Sequence, residues 1–210
     1  MPLKINVPFY EKDIAKEKGA FWDGENKTWF VPDHKDINLF NKWIDTEKVT
    51  LIGKAPLWLG LSRKSCWRCK NTIEVISFAS NNFFIYDYPD EDDLKEWFLQ
   101  DYFSFFYMPT HIGKGILDII CSRYPFFKLG FSKTINDKYW ANHCKCCNAL
   151  QGDFFMHEEP GGEFSPVDME GYKAITLIEI PYKFDLTLSA SYSWASNEKE
   201  ILKYCLKAEW

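Results

Sequence analysis

The alternation of apolar and polar residues predicts two short strands near the start of the chain, in the segments LKINVPF and KTWFVP. Between them, YEKDIAKEKGA has the composition of a helix. Asp13 suits the cap or first turn of this helix, and Gly19 suits its end. WDGENK predicts a turn. The segment DINLFNKWI predicts a second short helix with three apolar residues on one face: Ile37, Phe40 and Ile44.

Longer apolar segments follow in the rest of the chain. IEVISFASNNFFIYDY predicts a hairpin that turns near Ser80, Asn81 and Asn82, whereas DEDDLKEWFLQDYFSFF and GKGILDIICSRY predict helices. FFKLGFSKT and KYWANHC predict a pair of strands. AITLIEIPYKFDLTLSASYSW predicts one or two more strands, before a helix capped by Ser196 or Asn197.

This mixture of strands and helices predicts an α+β fold in two parts. A small ββα-like module is expected over residues 1–45, a linker over 46–60, and a larger α+β domain over 61–210. The chain is rich enough in apolar residues (46%) and aromatic residues (18%) to fill a core. No apolar run reaches the roughly 20 residues that cross a bilayer, and the first residues lack a signal-peptide pattern. We therefore expect a cytoplasmic protein that does not contact membranes.

The seven cysteines are the main candidates for chemistry. Cys66 and Cys69 have the C-x-x-C spacing of a zinc knuckle, and so do Cys144 and Cys147. Each pair supplies half of a tetrahedral site, so the two pairs together predict one structural zinc ion and a zinc ribbon within the larger domain. Two alternatives remain: one pair is buried as small apolar residues, or the four thiols are redox-active.

The remaining cysteines and two histidines are weaker candidates for metal ligands. Cys146 lies between the second pair and could exchange with Cys147, while His143 and His157 are reserve ligands. Cys121 and Cys205 lie in apolar helical segments, which favours a place in the core.

The first 45 residues resemble a known family. The pattern NVPF-EKD-AK-KGA-WD---K-WFVP covers about 40 of the 210 residues and is similar to domain-of-unknown-function family 5710. This family occurs in bacterial and plasmid proteins, including some plasmid primases. The matching residues are Asn6, Val7, Pro8, Phe9, Glu11, Lys12, Asp13, Ala15, Lys16, Gly19, Ala20, Trp22, Asp23, Lys27, Trp29, Val31 and Pro32. We expect Trp22, Trp29 and Trp43 to form the module's core; the alternative is an exposed indole that stacks on a nucleobase.

The segments around the cysteine pairs, SCWRC and YWANHCKCCNALQGDFF, resemble uncharacterised bacterial proteins that carry the same N-terminal module and a split cysteine pair. Those relatives read CPHCGALQGD, with glycine where this chain has Asn148. Asparagine tolerates the left-handed backbone conformation, so the knuckle is expected to form here as well.

Single-stranded nucleic acid is the favoured partner. If a metal joins the two pairs, the basic and aromatic residues around them converge on one surface suited to phosphates and bases. The residues concerned are Arg63, Lys64, Trp67, Arg68, Lys70 and Lys145. The alternative is that Trp67 packs under the zinc turn and that the charged residues only solvate it. The net charge of −5 instead favours a protein-interaction or adaptor role, with the acidic run at 90–93 or exposed aromatic residues meeting a protein partner.

An enzyme is the weakest of the three hypotheses. A four-cysteine site is closed and leaves no position for substrate. The segment GDFFMHEE combines His157 with the carboxylates of Asp153, Glu158 and Glu159, which could serve acid/base chemistry or hold a hydrolytic metal. Its spacing matches no established catalytic motif, and a polar loop beside the knuckle explains it equally well.

Overall fold

The computed structural model describes residues 2–90, 93–193 and 198–210, and over these ranges the chain folds as a mixture of strands and helices. The α+β class is therefore confirmed, with strands in the majority. The α-helices are α1 (Lys12–Glu17), α2 (Lys114–Arg123), α3 (Asp153–His157), α4 (Met169–Lys173) and α5 (Glu198–Tyr204). The strands are β1 (Leu3–Ile5), β2 (Phe21–Asp23), β3 (Thr28–Val31), β4 (Leu51–Gly53), β5 (Leu57–Ser65), β6 (Thr72–Ser80), β7 (Phe83–Asp87), β8 (Glu96–Gln100), β9 (Ser104–Ile112), β10 (Phe127–Ser132), β11 (Asp137–Asn142), β12 (Thr176–Glu179), β13 (Leu186–Tyr192) and β14 (Leu206–Ala208).

The N-terminal segment forms its own antiparallel sheet in the order β1-β3-β2, with α1 between β1 and β2. The predicted second helix is a 3-10 helix, Ile37–Trp43, which begins where the Asp36 carboxylate accepts a hydrogen bond from the Asn38 N–H. A 3-10 helix has three residues per turn, so its buried face continues from Phe40 to Trp43. Ile44, also buried, follows the helix as its C-terminal cap.

The N-terminal sheet shares its core with the larger part of the chain. Trp29 and Trp43 are buried, as predicted, in one cluster with Ile52 of β4 and Trp97 of β8. Asn38 adds two hydrogen bonds to the main chain of Trp97, with its Oδ1 accepting at 2.8 Å and its Nδ2 donating at 3.2 Å. The core prediction is wrong for Trp22, whose side chain is 51% exposed.

A nine-stranded sheet organises the rest, in the order β14-β12-β5-β6-β9-β13-β4-β7-β8. Strand β4 and the first residues of β5 come from the segment that was expected to be a linker. That segment therefore has a buried, hydrogen-bonded structure, with residues 51–53 buried between β13 and β7. The division of the chain into domains stays a prediction.

Two predictions of local structure are wrong. The expected hairpin turns at Asn82, but β6 and β7 do not pair, because β6 lies between β5 and β9, and β7 lies between β4 and β8. Within the described part of the expected helix at 90–106, the chain instead forms β8 and the first residues of β9. Burial against the sheet outweighs the helix propensity of its Leu, Lys, Glu and Gln residues, since propensity is a weak preference that tertiary context overrides.

The other predicted elements are confirmed: α2, the pair of β10 with β11, and two C-terminal strands, β12 and β13. The predicted last helix is shorter than expected, because after α5 the chain forms β14, which runs parallel to β12. Its candidate caps, Ser196 and Asn197, lie outside the described residues, as do Glu91 and Asp92 of the acidic run. Each helix in the described ranges is too short or too polar to span a membrane.

Candidate metal centre and adjoining groove

The two cysteine pairs occupy turns with the same hydrogen-bond pattern. In the first turn, between β5 and β6, the Cys66 N–H donates to Asn71 O and the Lys70 N–H donates to Cys66 O, both at 2.9 Å. In the second, after β11, Cys144 stands in the place of Cys66 and makes the equivalent two bonds at 2.9 and 2.8 Å. The residue after the last cysteine of each turn is left-handed, with φ of 63° at Lys70 and 58° at Asn148. The expectation that Asn148 adopts this conformation is confirmed.

The fold brings the four sulfur atoms together. Their ligand atoms all lie within 4.8 Å of one another, with Cys66 Sγ 3.7 Å from Cys147 Sγ and Cys69 Sγ 3.5 Å from Cys144 Sγ. Four sulfurs placed about 2.3 Å from a tetrahedral metal would be separated by about 3.8 Å. None of the seven cysteines, all of which lie in the described ranges, forms a disulfide. The cluster could therefore hold a metal ion.

Backbone N–H groups favour the thiolate form at one cysteine of each pair. Desolvation raises the pKa of Cys66, but hydrogen bonds from the N–H groups of Cys69 and Arg68 outweigh it and lower the pKa to about 6. The Cys147 N–H lowers the pKa of Cys144 in the same way. Both turns thus direct backbone N–H groups at a sulfur, which favours the deprotonated form in which cysteine binds metals.

The pKa of Cys69 is shifted in the opposite direction to the pKa values of Cys66 and Cys144. The Asn71 N–H lowers the pKa of Cys69, but desolvation and the neighbouring thiols raise it more, to about 12. Several thiolates so close together repel one another. A divalent cation would remove this conflict, because cysteine ligands bind metals in the deprotonated form.

Hydrogen bonds beyond the cysteines hold the two turns together. The Asn142 side chain is buried and pairs with the main chain of Ile76, accepting at 2.8 Å and donating at 2.9 Å. Trp67 Nε1 donates to Leu150 O at 2.7 Å across the turns, and Gln151 Nε2 lies 3.5 Å from Cys66 Sγ. The sequence indicated none of these supporting roles, since each one depends on residues about 65 to 85 positions apart.

The reserve ligands lie apart from the four-sulfur cluster. His143 is buried, and its Nδ1 contacts Ala141 O at 2.9 Å. Cys146 is exposed between the ligands of the second turn. Cys205 is buried in the core, as expected, and Cys121 is partly buried, with its thiol 3.5 Å from Phe127 O.

The predicted nucleic-acid contacts do surround the two turns, but they differ in electrostatic environment. Arg63, Arg68 and Lys70 are exposed. Lys64 is largely covered and pairs with Glu163 at 3.1 Å. Lys145 pairs with Glu74 at 2.5 Å. These two ion pairs reduce the local positive charge below what the sequence suggested.

Trp67 lies at the surface, with 61% of its side chain exposed. It lines a groove of about 930 Å³ together with two further exposed rings, Phe131 of β10 and Phe155 of α3. The polar residues of the groove wall include Lys64, Lys133, Gln151, Glu159 and Glu163. The loop at 159–163 also lines the groove, and a Cβ atom at Gly162 would lie 2.5 Å from Phe155 O, so the close approach of this loop to α3 requires glycine.

His157 is a core residue. Its ring is stacked between Tyr107 and Phe164, with centroid distances of 5.0 Å on both sides. Its Nδ1 contacts Asp153 O at 2.9 Å and its Nε2 contacts Ser77 Oγ at 2.8 Å. Both ring nitrogens are thus engaged inside the protein, which favours a structural role for this histidine.

The carboxylates near His157 also have protein partners. Asp153 is buried and accepts a hydrogen bond from the Met108 N–H at 2.7 Å. Glu158 accepts one from the Tyr107 hydroxyl. Glu159 instead lines the groove. The four residues of the suggested acid/base site therefore do not converge on one accessible position.

Asp153 and His157 should give the stability of the protein two opposing pH dependences. Desolvation lowers the pKa of His157 from 6.5 to about 4, so its contribution is lost as the pH falls through that window. Desolvation raises the pKa of Asp153 from 3.8 to about 7, so its contribution is lost as the pH rises. In an Asp153→Asn variant the histidine effect should remain alone, and the free energy of unfolding should rise by roughly 3 kcal/mol between pH 4 and 6.5 relative to the unmutated protein.

Urea unfolding of both proteins across this pH range measures the effect, and the comparison cancels the contribution of the cysteine cluster. An Asp118→Asn variant, changed at an exposed residue of α2, is the matched control and should follow the unmutated profile. Identical profiles for Asp153→Asn and the unmutated protein would show that the pKa of Asp153 is not raised by burial.

Comparisons with known proteins find matches to the N-terminal module. Two proteins named DNA primase TraC, both from Escherichia coli, are 51% and 49% identical to this chain over 39 residues. The match covers 19% of this chain but 3% and 4% of the two primases, so the chain spans a very small part of these relatives. No solved structure matches significantly. The family described as "Domain of unknown function (DUF5710)" matches residues 3–45, which confirms the resemblance seen in the sequence.

Proposed function

We propose that this protein is a non-catalytic, cytoplasmic zinc protein that binds single-stranded nucleic acid through the surface around its two cysteine turns. The observation that carries the proposal is the approach of the four sulfurs to within 4.8 Å of one another. This joins two segments about 75 residues apart into one surface. Four thiolates in tetrahedral arrangement suit zinc or iron, and zinc is the ion expected for a closed structural site.

The surface has the two components that sequence-tolerant binding of single strands requires. Exposed positive charges at Arg63, Arg68 and Lys70 can contact phosphates, and the exposed ring of Trp67 can stack on a base. Lys64 and Lys145, held in ion pairs, would contribute less than the sequence suggested. The similarity of residues 3–45 to part of a DNA primase supports the same class of partner.

Replacing Arg63 and Arg68 with Gln is expected to weaken binding and to reduce its salt dependence. Removing one arginine–phosphate interaction with a single strand should lower the magnitude of the slope of log K against log salt by about 0.7. Removing both should therefore lower it by about 1.4. Fluorescence anisotropy of a labelled oligonucleotide, titrated at several salt concentrations, measures both the affinity and its slope.

A double variant of Lys114 and Lys183, both changed to Gln, removes the same charge from exposed residues outside this surface. It should bind like the unmutated protein. No binding by zinc-loaded, unmutated protein would overturn the nucleic-acid proposal, and so would an equal loss of affinity in both double variants.

A protein-interaction role is the second candidate, and the exposed aromatic residues of the N-terminal module favour it. Phe9 and Tyr10 are 80% and 82% exposed, and Phe21 and Trp22 are about half exposed. Exposed aromatic residues of this kind supply much of the binding energy at protein interfaces. If no oligonucleotide binds, a protein-interaction role through these aromatic residues becomes the better explanation.

A further inference from the structure

The β10–β11 hairpin is positively charged in a protein whose net charge is −5. It carries three lysines, Lys128, Lys133 and Lys138, and one carboxylate, Asp137. All three lysines are exposed. Within the described residues none of the three forms an ion pair, in contrast to the two ion-paired lysines near the cysteine turns. The positive charge of the hairpin is therefore available to a ligand.

Two contacts place this charge beside the cysteine turns. Lys128 Nζ donates a hydrogen bond to Asn148 Oδ1 at 2.7 Å, and Asn148 is the left-handed residue of the second turn. Lys133, in the loop that joins β10 to β11, lines the same groove as Trp67 of the first turn. The hairpin and the two cysteine turns thus contribute to one continuous surface.

Trp67 is held in place although most of its side chain is exposed. Its Nε1 donates to Leu150 O at 2.7 Å, which fixes the edge of the indole against the segment that follows the second turn. A ring fixed in this way loses little conformational freedom when a base stacks on it. Arg68 adjoins Trp67 in the chain and Lys133 shares its groove, so cations from both elements lie near a base stacked on this ring.

The residues on either side of Lys133 suit a phosphate as well. Ser132 and Thr134 also line the groove, and hydroxyl groups donate hydrogen bonds to phosphate oxygens in many nucleic-acid complexes. Two carboxylates, Glu159 in the groove and Asp137 in the hairpin, oppose a phosphate. The three hairpin lysines outnumber them, so the expected interaction is attractive, weak and sensitive to salt.

We propose that the β10–β11 hairpin is a second phosphate-binding element of the single-strand site, in which Lys128 and Lys133 contact phosphates of the strand whose base stacks on Trp67. The inference rests on the proposed single-strand binding and extends that site from the first cysteine turn, across the groove, to the hairpin. Stacking and phosphate contacts do not depend on base identity, so this site is expected to accept all bases.

A double variant with Lys128 and Lys133 changed to Gln tests the proposal by fluorescence anisotropy of a labelled oligonucleotide at several salt concentrations. Each phosphate contact with a single strand contributes about 0.7 to the slope of log K against log salt, so the magnitude of the slope should fall by about 1.4. Lys133→Gln alone, in the exposed loop, should lower it by about 0.7. Changing both lysines to Arg keeps the charge and should keep the slope.

The double variant of Lys114 and Lys183 is again the control and should keep the slope of the unmutated protein. Zinc content and melting curves verify that each variant is folded. An unchanged slope after loss of Lys128 and Lys133 overturns the role of the hairpin and leaves the single-strand proposal intact. An equal reduction in the control also overturns that role, because the effect would then follow net charge alone. No binding by the zinc-loaded, unmutated protein overturns the proposed function, and this inference with it.

Discussion

Replacing Cys66 or Cys144 with Ser is expected to reduce the zinc content from about one ion per chain to none and to destabilise the larger part of the protein. Both side chains are buried, at 0% and 2% exposure, and both lie in a core cluster with Ile73 and Val75 of β6. Structural zinc sites contribute about 10–16 kcal/mol of apparent binding free energy. That range is comparable to the whole stability of a typical domain, about 5–15 kcal/mol.

Metal analysis of purified protein, together with thermal unfolding by circular dichroism, measures both effects. A chelator added to the unmutated protein should lower its melting temperature in the same direction. Cys146→Ser is the matched control, since this residue is exposed and lies between two ligands. It should retain the metal, and so should Cys121→Ser. Zinc retained in Cys66→Ser, or iron or no metal in the unmutated protein, would contradict the proposed site.

Replacing Trp29 with Ala is expected to destabilise the protein by about 3–5 kcal/mol, the usual cost of deleting a buried indole. Trp29 is 8% exposed and belongs to the cluster that joins the N-terminal sheet to Ile52 and Trp97. The cavity would therefore open in the packing between the module and the nine-stranded sheet. At about 2–4 °C per kcal/mol for a chain of this size, the melting temperature should fall by about 6–20 °C.

Trp22→Ala is the matched control for this prediction. Trp22 lies opposite Trp29 in the pair of β2 with β3, with a ring distance of 5.6 Å, but it is 51% exposed. Its truncation should cost less than about 1.5 kcal/mol, the range found for aromatic pair contacts. A Trp29→Ala protein that melts like the unmutated one would show that the module is not packed on the sheet as described.

The sequence alone determined the features that depend on a few neighbouring residues. The C-x-x-C spacing places two thiols on one turn whatever surrounds it, and Asn148 takes the left-handed conformation because its own side chain tolerates it. The N-terminal module could also be recognised, because its pattern lies within about 40 consecutive residues. The α+β class followed from the mixture of periodic patterns.

Elements whose residues fit both helix and strand could not be assigned locally. In the stretch that forms β8 and β9, good helix formers alternate with aromatic residues, and pairing partners elsewhere in the chain decide between the two structures. Strand β8 forms because its main chain pairs with β7 and because Trp97 is buried in the cluster that contains the core residues of the N-terminal module. Neither reason can be seen within the stretch itself.

Only the tertiary structure decided what surrounds the cysteines. Three contacts around the cysteines join distant parts of the chain: Asn142 with Ile76, Trp67 with Leu150, and Gln151 with Cys66. The ion pairs that hold Lys64 and Lys145 arise in the same way, as do the groove walls contributed by β10, α3 and the loop at 159–163. The local C-x-x-C spacing indicates which cysteines could bind a metal. The charge, exposure and shape of the surface around them depend on which distant side chains the fold places beside each residue.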